Sequence, residues 1–160
     1  MSSRLRIAIA GFSSFLLLAG ALAFQYLGGL APCPMCIWQR WPHLAAILFA
    51  LAAISIRTPR RVFILGGALS AATTAALGAY HVGVEQRWWE GPSSCVGFDP
   101  SLMTPDELLQ HLATAPLIRC DEIAWEFLGI SMAGWNALLS AFLVIVWISA
   151  FRQRREAIPL

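Results

Sequence analysis

Four stretches of this chain carry no charged residue at all: between Arg6 and Arg40, between Arg40 and Arg57, between Arg61 and Glu85, and between Glu126 and Arg152. Each is long enough for a helix of about 20 residues, the length needed to cross a hydrocarbon layer of roughly 30 Å. The composition agrees, with 58% apolar and only 12% charged residues. The expected fold class is therefore an all-α membrane protein, a single four-transmembrane-helix bundle over 1–160 with spans at about 7–30, 37–56, 62–82 and 132–151.

All eleven cations are arginines, and most sit at alternate ends of the spans. Arg4 and Arg6, then Arg57, Arg60 and Arg61, then Arg152, Arg154 and Arg155 put both termini and the middle loop in the cytoplasm by the positive-inside rule. The expected location is a bacterial inner membrane, with outward loops at about 31–36 and 83–131. Those loops hold eight of the nine acids, so the net charge of +2 conceals a polarity across the bilayer and gives no sign of nucleic-acid binding. Ala21-Leu22-Ala23 after a basic start could mark a cleaved signal peptide, but the apolar run continues to Leu30, beyond the roughly 7 to 15 residues of a signal core.

Small residues inside the spans, among them Gly11, Gly66, Gly67, Gly78 and Gly134, suit closely approaching helices. Trp41, Trp88, Trp89, Trp125 and Trp135 fall near the outer boundary and read as interfacial anchors. In the long outer loop, Thr104-Pro105-Asp106-Glu107 is a capping box that predicts a short helix, with Leu108, Leu109 and Leu112 on one side, resting on the membrane surface.

The chemistry lies with four cysteines, all expected on the outward side. Cys33 and Cys36 form Cys-Pro-Met-Cys at the mouth of the second span, and Cys95 and Cys120 lie in the long loop. Thiol pairs facing an oxidising compartment oxidise readily, so purely structural disulfides are one reading, and it stays open for Cys95 and Cys120. It suits Cys33 and Cys36 less, because closing so small a ring stabilises little through chain entropy. Pro34 suggests Cys33 as helix N-cap, placing both sulfurs at the positive end of a helix dipole, where thiolate is favoured.

Cys36, Arg40 and His43 stand at i, i+4 and i+7 and share one stripe of the second span. An arginine inside a membrane segment costs roughly 2.5 to 3.5 kcal/mol on insertion scales, so Arg40 is a candidate for stabilising a thiolate or a quinone carbonyl. Snorkelling to the headgroups is the alternative for Arg40, and plain packing for His43. His81, at the outer end of the third span, is placed to approach the same pocket. No metal is expected: only one cysteine pair has finger spacing, and no nearby Cys-His pattern completes a zinc site. Ile37 after Cys36 excludes a covalent haem motif.

The run Pro32-Cys33-Pro34-Met35-Cys36-Ile37-Trp38-Gln39-Arg40, with Phe24-Gln25-Tyr26 before it and Cys95 and Cys120 after it, resembles the DsbB family over nearly the whole chain. His81-Val82-Gly83 looks like the exit of that family's third span. The resemblance implies an enzyme, a protein-dithiol:quinone oxidoreductase with ubiquinone or menaquinone as cofactor and a DsbA-like thioredoxin-fold oxidase as partner. It also implies a catalytic relay through Cys95, Cys120, Cys33 and Cys36, with Arg40 matching the family's quinone-contacting arginine; His81 is a second cofactor-binding candidate by its position alone. Gln39 departs from members that carry an acid there, and His43 matches no family residue. Two rival readings fit the sequence less well. A vitamin-K-epoxide-reductase-like enzyme would have its loop cysteines before the Cys-x-x-Cys, the reverse of the order here, and a non-catalytic scaffold would use both pairs as staples.

Overall fold

A computed structural model describes residues 2–56, 60–92, 95, 104–106, 109–110 and 119–153. Four helices long and apolar enough to cross a membrane dominate it: α1 (Ser3–Tyr26), α2 (Pro34–Ser55), α3 (Arg60–Glu85) and α4 (Met132–Gln153). The chain is thus a multi-pass membrane protein of the expected all-α class. Each helix starts where its local chemistry allows. Ser2 caps α1 by accepting from the Leu5 amide, and the Cys33 sulfur caps α2 by accepting from the Cys36 amide at 3.2 Å, with Pro34 in the first turn. Ser131 does the same for α4 through the Gly134 amide at 3.1 Å.

Helix α1 stops at Tyr26, although the apolar run continues to Leu30. The amides of Leu27 and Gly28 both close back on the Ala23 carbonyl, and Gly29 takes φ +68, a left-handed conformation that ends helices at little cost to glycine. The four helices form a ring in chain order: α1 packs on α2 and α4, and α3 packs on the same two. Lipid-facing positions such as Phe12, Phe15, Leu48, Leu65, Leu69 and Ile145 stay exposed, as expected where the solvent is hydrocarbon.

Two buried clusters divide the interior. At the end holding the N-terminus, Ile7, Ala10, Ala50, Ala53, Ile64, Leu143 and Trp147 make an apolar core, tied down where Ser3 and Arg6 donate to the Ala150 and Ser149 carbonyls. Trp147 fits because Gly67 opposite has no side chain; a Cβ there would fall within 2.4 Å of the indole. At the other end Cys33, Met35, Val84, Cys95 and Cys120 are buried together.

A two-stranded antiparallel hairpin, β1 (Glu126–Phe127) and β2 (Ile130–Ser131), leads into α4 and was not expected from the sequence. Its two-residue turn puts Leu128 at φ 54 and Gly129 at φ 74, the two positive values that a type I′ hairpin needs. Of the expected surface helix, Pro105, Asp106, Leu109 and Gln110 are helical, while Glu107, Leu108 and Leu112 lie outside the described residues.

Candidate functional site

The N-terminus of α2, the C-terminal end of α3 and the loop disulfide converge on one place. Cys95 and Cys120 are joined by a disulfide, whereas Cys33 and Cys36 are free thiols with their sulfurs 2.9 Å apart. Cys33, Cys95 and Cys120 share one buried cluster with the half-buried Cys36 packed against it, and the backbone of Cys120 lies against the His81 ring. Two cysteine pairs separated by 59 or more positions in the sequence are thereby gathered at one end of the bundle.

The two free sulfurs are not equivalent. Cys33 is 5% exposed, and its thiol donates to Cys36; that hydrogen bond first, and burial second, push its pKa well above the ordinary 9.0. Backbone amides of Cys36 and Met35 act in the opposite direction and lose. The helix dipole therefore does not favour thiolate at both positions: Cys33 holds its proton and offers it to Cys36.

Cys36 faces a cavity of about 430 Å³ between α1, α2 and α4. Leu16, Leu17, Gly20 and Phe24 line it from α1, and Cys36, Arg40 and His43 from α2, which bears out their shared stripe. His81 reaches it from α3 and Asn136 from α4. Trp125, Phe127 and Trp135 close its mouth: Trp125 packs on Phe24 with ring centroids 4.9 Å apart and stacks on Phe127 at 6.2 Å, and the Trp135 indole donates to the Phe127 carbonyl. Two of the tryptophans expected as boundary anchors thus serve as cavity wall, while Trp41 and Trp88 are largely exposed.

Arg40 donates from Nη1 to the Gln25 side chain, and its buried Nε has no hydrogen-bond partner among the described residues. An unpaired guanidinium donor beside an otherwise apolar cavity suits a carbonyl oxygen. His81 sits between two worlds: Nε2 is 3.6 Å from the Cys33 sulfur and 4.0 Å from Glu85 Oε1, and Nδ1 is 3.0 Å from Gln39 Nε2. Because the Gln39 amide nitrogen also donates to the Met35 carbonyl, and its oxygen accepts from Asn136, Nδ1 is the acceptor and Nε2 carries the ring proton.

Sequence reasoning missed Gln39, Thr74, Asn136 and Glu85. The first three join His43 in a buried polar network, with Asn136 donating to Gln39 and to Thr74. Their signal was available: polar residues inside apolar spans face a bundle interior. Near the loop disulfide a second hollow is bounded by Val84, Arg87, Trp88, Glu90, Cys95, Arg119 and Asp121. There the Arg119 guanidinium, exposed and bidentate on Asp121, lowers the pKa of that carboxyl.

Comparison with known proteins points the same way. A family model described as disulfide bond formation protein DsbB matches residues 3–150. Disulfide bond formation protein B of Methylococcus capsulatus is 37% identical over 149 residues, spanning 85% of this chain and 88% of its own. That of Xanthomonas oryzae pv. oryzae is 33% identical over 156 residues, 90% of each chain. Disulfide bond formation protein B 1 of Burkholderia lata is 29% identical, over 94% of this chain and 90% of its own.

Proposed function

Since the chain belongs to the DsbB family and its function is disulfide bond formation, we propose that it does this by oxidising a DsbA-like dithiol partner and passing the two electrons to a membrane quinone. The observation that carries this reading is the packing of both cysteine pairs together, with Cys36 opening onto the apolar cavity that Arg40 lines.

The relay begins when a partner thiolate attacks the Cys95 sulfur, breaking the Cys95–Cys120 bond and releasing Cys120 as thiolate. Cys120 attacks Cys33 in an oxidised Cys33–Cys36 pair, and Cys36 leaves as thiolate. The partner's second thiol resolves its mixed disulfide with Cys95, which leaves the partner oxidised. Cys95 then attacks Cys120, remaking the loop disulfide and freeing Cys33. The chain is left with Cys95–Cys120 bonded and Cys33 and Cys36 as thiols, the arrangement found here. Two electrons and two protons have moved from partner to Cys33 and Cys36.

The cavity residues fit a quinone: apolar walls for a ring and tail, an unpaired Arg40 donor, and a sulfur at one side. Bound there, quinone supplies a two-electron, two-proton acceptor. Arg40 would hold a carbonyl oxygen, the protons of Cys33 and Cys36 would leave with the two electrons for that acceptor as their disulfide reforms, and Trp125 and Trp135 would exclude water. Direction follows from acceptor strength, since about 30 mV in a two-electron couple is worth about 1.4 kcal/mol. Both termini would face the cytoplasm and the cysteine end the periplasm, as the arginine distribution requires.

Purified protein, a reduced DsbA-like substrate and a soluble quinone analogue test the scheme. Cys36→Ser should stop quinone reduction. A single-cysteine partner should become trapped on Cys95 in the parent chain and fail to be trapped in Cys95→Ser. Turnover that survives loss of Cys36 would overturn the reading.

A further inference from the structure

We propose that Cys33, Cys36 and His81 form a zinc site, with water as fourth ligand, that exists only while the Cys33–Cys36 pair is reduced. The sequence gives one close cysteine pair and no adjacent histidine, and so argues against a metal. Folding changes the donor set: His81, 48 positions beyond Cys33, brings Nε2 to 3.6 Å from its sulfur, and the donor atoms of Cys33, Cys36 and His81 all lie within 4.8 Å of one another.

The distances match the chemistry. With zinc–sulfur bonds of about 2.3 Å and zinc–nitrogen bonds of about 2.0–2.1 Å, the edge between sulfur and nitrogen of a tetrahedral site is about 3.6 Å. The Cys33–His81 edge already has that length. Two sulfurs on one zinc stand about 3.8 Å apart by the same geometry. The pair here is at 2.9 Å, so Cys36 must swing outward, and it has the cavity beside it to swing into. Glu85 lies outside this group of donors but supplies a second, independent observation through its charge. Its side chain is 5% exposed, its Oε1 is 4.0 Å from His81 Nε2, and Ser131 donates to its other oxygen. A carboxylate so placed lacks a full positive partner, and a divalent cation between it and the sulfurs would provide one.

Binding is an exchange of protons for metal: Zn²⁺ displaces one proton from each thiol, and two protons are released. A disulfide has no such sites to offer, so oxidation of Cys33 and Cys36 abolishes the donor set and reduction creates it. Zinc bound this way would occupy both electron-donating sulfurs. Coordination through Nε2 also requires the ring proton to move to Nδ1, which Gln39 now meets with its amide nitrogen. The Gln39 amide must therefore turn its oxygen toward the ring, and an acid at that position would favour the metal by accepting the Nδ1 proton. The site stands on these donors alone and needs neither quinone nor partner.

The test uses the full chain in detergent micelles, without quinone or partner, carrying Cys95→Ser and Cys120→Ser so that only Cys33 and Cys36 can change redox state. Zn²⁺ is titrated against a competing chromophoric chelator, and Co²⁺ serves as the spectroscopic probe. The expected result is one Zn²⁺ per reduced chain, none after oxidation, and a thiolate-to-cobalt charge-transfer band. His81→Ala should weaken binding at least about tenfold, and Gln39→Glu should tighten it by about tenfold, the scale of outer-shell effects. A gain in the Gln39→Glu variant is an outcome that misfolding cannot imitate. Equal binding by oxidised and reduced chains, or full affinity in His81→Ala, or no tightening with Gln39→Glu, would overturn the site.

Discussion

His43 on α2 and Asn136 on α4 meet at 2.8 Å across the diagonal of the bundle, Nε2 against Oδ1. Asn136 also accepts from Ser140 and donates to Gln39 at 2.6 Å and Thr74 at 3.1 Å, so its amide uses two donors and two acceptors, its full capacity. One side chain of α4 thereby fixes the register of α2 and α3 beside the cavity.

Removing Asn136 should cost more than removing His43. Single hydrogen bonds between membrane helices are worth only about 0.6 kcal/mol on average. Asn136→Leu, however, takes the partner from both Gln39 Oε1 and the Ser140 hydroxyl and removes one contact each from His43 and Thr74, and each buried polar group left unpaired costs about 1–3 kcal/mol. His43→Leu releases only the Asn136 and Thr74 contacts. Unfolding in mixed micelles should rank the parent above His43→Leu and His43→Leu above Asn136→Leu. The reverse order would mean that the network is incidental to the fold.

Arg40 has two candidate duties, holding α1 through Gln25 and meeting a ligand in the cavity, and substitution separates them. Arg40→His should raise the apparent KM for a quinone analogue at least about tenfold, since a hydrogen bond to a charged group contributes about 1.5–3 kcal/mol. Gln25→Ala removes only the contact with α1 and should leave that KM near the parent value. If both variants shift KM alike, Arg40 acts by positioning α1.

What the sequence displayed and what it concealed divide along a physical line. Charge-free runs and arginine clusters are local, and they marked all four helices to within a turn or two. Cys36, Arg40 and His43 follow helical periodicity, so their convergence on one cavity was also legible. His81 lines the same cavity from one turn before the end of α3, as its place near the outer boundary suggests. The tie between Gln39 and Asn136 was not legible because it joins two helices 97 positions apart in sequence, and nothing nearby in the chain announces such a pairing. The hairpin escaped because Leu128 occupies a positive φ that normally calls for asparagine or glycine. For Trp125 and Trp135 boundary depth is written in the sequence, but the direction in which each ring turns at that depth, here toward the cavity, is not.

The unequal thiols should appear in the pH dependence of alkylation. With the pKa of Cys33 raised above 9.0, chiefly by its hydrogen bond to Cys36, its proton is retained at and below pH 9 and is lost only at higher pH. The stability that this proton confers is accordingly present below the unfolded value and disappears as pH rises through the folded one. In reduced protein the labelling rate of Cys33 by a small reagent should stay flat from pH 7 to 9. In Cys36→Ser the leading cause is altered, and Cys33 labelling should climb within that window. A parent chain whose Cys33 reactivity rises like that of a free thiol would refute the assignment.

Two glycines should respond to substitution in opposite ways. At Gly67 an added Cβ would lie 2.4 Å from ring atoms of Trp147, which is fully buried and has α3 backbone in front of it. Neither ring nor helix can withdraw cheaply, and overpacking of this kind costs about 1–3 kcal/mol. Gly67→Ala should therefore lower the unfolding midpoint without touching the cavity 430 Å³ in volume at the other end of the bundle. Gly20 lines that cavity, and nothing lies within 4 Å of a Cβ added to it. Gly20→Leu should leave the midpoint near the parent value while filling the space between α1 and Cys36. Its signature would be a raised KM for the quinone analogue with partner trapping on Cys95 intact. Unchanged quinone kinetics in a folded Gly20→Leu chain would place the acceptor somewhere other than this cavity.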